Sequence, residues 1–174
     1  MRIVIVTGMS GAGLSTALKM FEDMGYYCVD NLPVMLLPKF VELASSNGSS
    51  NPNVAIGIDI RNGNGLTELE DILEELVDNR YIYEILFLDA SDEVLVKRYK
   101  ETRRSHPLAK ADRIDKGIKL ERSRLEFLKK QADYIIDTSE LLTRELKQEL
   151  EKIFVLDAKF SNLFVTILSF GLKY

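Results

Sequence analysis

Residues 8–16 read GMSGAGLST. A phosphate-binding loop follows the pattern G-x-x-x-x-G-K-[ST], and here Gly8, Gly13 and Ser15 fit while Leu14 stands where the lysine belongs. Glycines at 8, 11 and 13 let the main chain approach an anion closely. Successive N–H groups from Met9, Ser10, Gly11, Ala12, Gly13, Leu14 and Ser15 can then surround a phosphate at a helix N-terminus. The Ser15 hydroxyl is placed to bind Mg2+. The missing ammonium would bridge β- and γ-phosphates and offset charge that develops during phosphoryl transfer. Losing one charge-assisted hydrogen bond costs about 1.5–3 kcal/mol, which is roughly a ten- to hundredfold loss of affinity. Turnover should suffer more than binding, because the lost charge acts most strongly in the transition state. Lys19 lies over a turn further along and reads as a solvated helix lysine rather than a replacement.

Other groups could complete such a site. Asp59 follows the apolar run VAIGI and is the preferred carboxylate to hold Mg2+ near Ser15, with Asp89, at the end of EILFL, as its rival. Asp30 closes another apolar run, at the edge where parallel sheets bind ligands, and could position an acceptor or water; an Asx-type turn explains it equally simply. The run KRYKETRR at 97–104 precedes SHPLAKADR, a candidate lid, and Arg103 or Arg104 could neutralise phosphoryl charge in place of the lysine. A solvated basic face is the competing reading of that run. His106 has no cysteine or second histidine to share a metal with, and reads as a turn residue before Pro107. DTS at 137–139 follows the last strand-like run, where a nucleotide base could approach, but Thr138 or Ser139 as the cap of the terminal helix is the preferred reading.

These residues need a scaffold. Apolar, β-branched runs at Ile3–Thr7, Tyr26–Val29, Val54–Ile60, Ile82–Leu88 and Tyr134–Ile136 alternate with helical periodicity. That alternation predicts an α/β fold with a parallel sheet flanked by helices. Between the third and fourth runs, Leu66, Leu69, Ile72, Leu73, Leu76 and Val77 fall on one helical face, and Thr67 with Glu70 has capping-box spacing. Further helices are expected over Gly13–Met24, Val34–Ser45, Asp92–Arg104, Lys116–Gln131 and Ser139–Ile153, with Pro33 and Ser91 as start signals. SSNGSSNPN at 45–53 reads as a flexible loop.

With 174 residues, 46% hydrophobic and 29% charged, the chain can bury one sizeable core. A net charge of −4 gives no overall pull toward nucleic acid or anionic membrane. The N-terminal apolar run is too short for a signal peptide or a membrane span. Cys28 is a single cysteine in a strand-like run, which fits a small core residue in a reduced, cytoplasmic setting. The segment from 154 to 174 offers two strand-like runs with no helix between them. It reads either as the opening of a second domain after a nucleotide-binding domain at 1–153 or as a strand that must pair elsewhere.

Around the loop lie FEDMGYYCVDNLP at 21–33, IDIRN at 58–62, LFLDA at 86–90, RRSHPL at 103–108 and DTS at 137–139. With the loop, and in this order, these strings resemble the bacterial YvcJ/RapZ family of P-loop nucleotide-binding proteins, which includes an RNase-adapter branch. The resemblance covers essentially the whole chain. It implies a kinase-like P-loop domain, with helices on both faces of the sheet, that binds ATP and GTP with Mg2+ and hydrolyses them slowly. It also implies an association of Asp59, Ile60, Arg61 and Asn62 with guanine nucleotide. A C-terminal domain follows in the family and is linked in the adapter branch to RNA and an amino-sugar phosphate; SFGLKY resembles its entry. The implied partners are therefore ATP or GTP, and RNA or a protein engaged through that domain, with no membrane and with homo-oligomerisation open. The family has lysine at position 14, so Leu14 implies reduced or absent hydrolysis. A regulatory adapter and a small-molecule kinase remain the alternatives.

Overall fold

The computed structural model describes residues 1–46, 53–63, 65–109 and 113–156. Five strands form one parallel sheet: β1 (Ile3–Gly8), β2 (Tyr27–Val29), β3 (Val54–Gly57), β4 (Tyr83–Asp89) and β5 (Tyr134–Asp137). Their spatial order is β2-β3-β1-β4-β5, so the strand that enters the glycine-rich 8–15 loop is central. All six β1 residues are buried, which is why IVIVTG is continuous rather than alternating: a central parallel strand is covered on both faces. Val6 pairs with Gly57 on one side and Leu86 on the other, which brings the carboxyl ends of β3, β1 and β4 to one edge.

The chain leaves β1 for one side of the sheet and after β3 crosses to the other. Ligands bind at such a reversal, in the crevice beyond the strand ends. Five helices lie in the crossovers, α1 (Leu14–Asp23), α2 (Leu37–Ser46), α3 (Gly65–Asp78), α4 (Asp92–Thr102) and α5 (Ile114–Gln131), and α6 (Thr143–Phe154) follows the last strand. Right-handed crossovers place α1 on one face and α2, α3 and α5 on the other. In keeping with this, α1 packs on α6, α2 packs on α3, and α4 packs on α5. The expected α/β architecture is the observed one.

Several local expectations are corrected. The apolar run from 54 to 60 is strand only through Gly57; Ile58 and Ile60 stay buried, and Ile60–Asn62 forms a 3-10 turn. Val34–Leu36 is likewise a 3-10 turn before α2. Thr67 lies inside α3, which already starts at Gly65, so Thr67 and Glu70 do not bracket its start. Val77 is 58% exposed, off the face of α3 that Leu69, Leu73 and Leu76 bury. Ser91 does cap α4, its hydroxyl accepting from the Val94 N–H at 3.3 Å.

The terminal helix starts at Thr143 rather than near 139, where Glu145 reaches back to the Leu142 N–H at 2.8 Å. Thr138 and Ser139 are therefore not its caps. Phe154 closes α6 and packs edge-on against Phe21 and Tyr134. The expected second-domain start from 157 onward, most of the 45–53 loop and the 110–112 stretch of the candidate lid lie outside the described residues. Cys28 is half-buried with its Sγ 3.4 Å from the Leu18 carbonyl, and burial pushes its thiol up to about 12.

Candidate functional site

At the end of β1 the chain must turn tightly under β4. Gly8 has φ +146°, and a Cβ there would lie 2.1 Å from the Leu88 carbonyl oxygen, so only glycine fits. The Met9 N–H then donates to that same carbonyl at 3.0 Å. At the other end of the loop Gly13 caps α1 in the left-handed region, φ +108°, with no side chain to satisfy the first-turn N–H groups. A helix start left in this state directs N–H donors and the positive end of its dipole outward.

Outward here means into a cleft of about 500 Å³. It is bounded by Gly8, Met9, Ser10, Gly11, Gly13, Leu14 and Ser15, and faced by Asp59 and Arg61 from the β3 end and by Arg98, Tyr99 and Arg104. Ser15 is exposed to it. Ala12 is buried and contributes its carbonyl inward instead. Leu14 is partly buried against the core.

Asp59 is 8% exposed and both its oxygens are engaged by one residue. Oδ1 accepts from the Arg61 N–H at 2.8 Å, capping the 3-10 turn, and Oδ2 accepts from Arg61 Nε at 2.7 Å. The hydrogen bond to Asp59 raises the Arg61 pKa, against the opposing effect of burial. Asp30 is exposed, sits 3.8 Å from the Arg61 guanidinium and does not line the cleft. Of the DIRN stretch, Asp59 and Arg61 face the cleft and Ile60 is buried in the core; the Asn62 side chain lies outside the described residues.

Asp89 is placed elsewhere. Its carboxylate takes Arg122 at 2.8 Å and Lys129 at 2.6 Å, both from α5. Burial pushes its pKa up, but the Lys129 and Arg122 hydrogen bonds outweigh that and hold it below the usual carboxylate value. It does not line the cleft, so it is no rival to Asp59 in position. Arg103 is also out of reach: it is the C-terminal cap of α4, exposed, with φ +51°, whereas Arg104 lines the cleft.

Four residues around the loop were not singled out for their observed roles. The Arg98 guanidinium donates to the Gly11 carbonyl at 3.0 Å and the Thr138 carbonyl at 2.6 Å. Thr138, 4% exposed, donates its hydroxyl to the Ala12 carbonyl at 2.8 Å, so DTS anchors the loop rather than capping α6. Tyr99 faces the cleft and is pushed up to about 12, chiefly by burial. Glu121, fully buried on α5, accepts from Ser10 and from His106. Only Glu121 left a signal in the sequence: an acid in the Ile118, Leu125, Leu128 stripe at helical spacing. His106 opens a turn, its carbonyl accepting from the Ala109 N–H at 3.0 Å, and its ring is buried.

A family model described as the RapZ-like N-terminal domain matches residues 1–158. A "Nucleotide-binding protein" of Agathobacter rectalis is 64% identical over 174 residues, covering 100% of this chain and 60% of that protein. The chain therefore spans about 60% of the length of such curated relatives. Among solved structures, shikimate kinase from Acinetobacter baumannii in complex with shikimate aligns over 91% of this chain and 95% of its own, with a TM-score of 0.58 and 16% identity. The YorR protein from Bacillus subtilis, in complex with phosphorylated GDP, covers 93% and 99% at a TM-score of 0.55 and 17% identity. At such identities the likeness is one of fold. No helix among the described residues is long and apolar enough to cross a membrane.

Proposed function

We propose, from the premise that this chain belongs to the RapZ-like N-terminal domain family, that it binds ATP or GTP with the phosphates on the 8–15 loop and hydrolyses them poorly. The observation that carries this is the glycine-capped start of α1 opening into a cleft that also holds Arg61 and Arg104. Helix-start N–H groups and two arginines supply what a polyphosphate needs for docking. Leu14 removes the donor that would follow charge onto the leaving oxygen, so docking is retained better than turnover.

The donor set suits Mg2+, which takes oxygen ligands and keeps several waters and phosphate oxygens. Ser15 would hold it by its hydroxyl, and Asp59, already engaged by Arg61, would do so through water. Bound there, the ion would neutralise phosphate charge. Because relatives are longer than this chain, control of an RNA or protein partner by nucleotide state is a reading for the whole protein.

The test is a calorimetric titration of ATP and GTP, with and without Mg2+, against this chain and Leu14→Lys, alongside phosphate release. Leu14→Lys should tighten binding by roughly ten- to hundredfold and raise turnover by more. If it improves neither, the loop does not hold the phosphates.

A further inference from the structure

Beside the phosphate loop lies a buried carboxylate for which docking of phosphates gives no use. Glu121 on α5 is fully buried. Its Oε1 accepts from the Ser10 N–H at 2.9 Å and the Ser10 hydroxyl at 2.6 Å, and its Oε2 meets His106 Nε2 at 2.7 Å. The Leu108 N–H donates to His106 Nδ1 at 3.0 Å, so Nδ1 is an acceptor and the imidazole proton sits on Nε2, pointing at Glu121. Among the described residues no lysine or arginine pairs with Glu121. A carboxylate buried among neutral dipoles is expensive, and an apolar residue would fit its stripe better. The arrangement serves position rather than stability.

The seat of His106 is built by the same helix. A Cβ on Gly117, one turn before Glu121, would lie 2.6 Å from His106 Nδ1, so any side chain there evicts the ring. His106 sits between Ser105 and Pro107, and both of these line the cleft, as does Ser10. Glu121 thus joins two walls of one cleft through a single carboxylate.

We propose that Glu121 is a positioning residue that sets the Ser10 segment of the phosphate loop according to whether His106 is seated, coupling the 105–108 segment to phosphate binding. The coupling to binding rests on the nucleotide reading above. The setting of the loop does not.

The test uses the whole chain with two readouts. In the first, without nucleotide, amide hydrogen exchange is followed in the 8–13 loop and in β4. His106→Ala and Gly117→Ala should each speed exchange in the loop on the order of tenfold with β4 unchanged, and His106→Gln, which keeps a donor near Nε2, should restore protection. In the second, ATP and GTP affinities are measured for Ser10→Ala, His106→Ala and the double variant, in both the Leu14 and Leu14→Lys backgrounds. The two losses should be non-additive, because both substitutions act on one link: Ser10→Ala removes the hydroxyl bond to Glu121 while its N–H bond stays, and His106→Ala removes the ring from the other oxygen. Unchanged loop exchange in both His106→Ala and Gly117→Ala overturns the positioning role. Additive losses with altered exchange overturn the coupling. If neither background binds a nucleotide, the functional reading and the coupling fall together, and the exchange result still decides whether Glu121 sets the loop.

Discussion

Leu14 folds over Gly57: a Cβ built on that glycine would stand 3.3 Å from Leu14 Cδ2, and 3.0 Å from Asp30 Oδ1. The side chain that replaces the expected lysine therefore occupies a gap at the carboxyl end of β3 that only a residue without a side chain leaves open. Leu18 Cδ1 bounds the same gap at 2.8 Å. Gly57→Ala should overpack it, destabilising the chain by about 1–3 kcal/mol and displacing the exposed Asp30 and the partly buried Leu14 more readily than the buried Leu18. Urea denaturation measures the first effect. A weaker nucleotide affinity in Gly57→Ala than in the parent chain measures the second.

The two jobs of Asp59 can be separated by substitution. Its Oδ1 caps the 3-10 turn through the Arg61 N–H, while Oδ2 holds the guanidinium. Asp59→Asn keeps an acceptor for the cap, so its stability should fall by less than that of Asp59→Ala, which loses about 1 kcal/mol or more with the cap. Both variants should lose the Mg2+-dependent part of nucleotide affinity alike. A titration in which Asp59→Asn retains full Mg2+ dependence would remove Asp59 from the ion's neighbourhood.

The scaffold was legible because a central parallel strand and an amphipathic helix have different periods, so IVIVTG and the Leu66, Leu69, Leu73, Leu76 stripe could be told apart by counting. The glycine pattern of the loop was legible for the same local reason. What remained hidden depends on contacts distant in sequence. Thr138 meets the Ala12 carbonyl across 126 positions, and Arg98 meets Gly11 across 87. No local pattern distinguishes such a threonine from a helix cap, or Arg98 from Arg103 in one basic run. Asp59 and Asp89 both follow apolar runs in the sequence, and only the placement of Arg122 and Lys129 on α5 separates them.

That pairing makes Asp89 a reporter of acid stability. The folded carboxylate has a lowered pKa, whereas an unfolded aspartate titrates near about 3.9. A lowered folded pKa contributes stability that is present above the unfolded value and is lost as pH falls through the folded one. Comparing the chain with Asp89→Asn by urea denaturation between about pH 3 and pH 7 should show a gap of about 1–3 kcal/mol above about pH 5, closing as pH drops below about 4. A gap independent of pH would mean that the charge of Asp89 contributes nothing.

Thr138 offers the cleanest way to loosen the loop without touching the cleft. Its hydroxyl donates to the Ala12 carbonyl and accepts from Arg98 Nη1 at 3.1 Å, and Thr138 itself is buried. Thr138→Val keeps the volume and removes both bonds, leaving a buried carbonyl short of a donor, a loss of about 1–3 kcal/mol. Arg98 retains the Thr138 and Gly11 carbonyls as acceptors, so α4 should stay in place. The effect should therefore concentrate in the loop: amide exchange of residues 11–13 rises and affinity for ATP and GTP falls, while exchange in α4 holds. If Thr138→Val lowers global stability but leaves loop exchange and nucleotide affinity at parent values, the hydroxyl anchors the sheet rather than the phosphate loop.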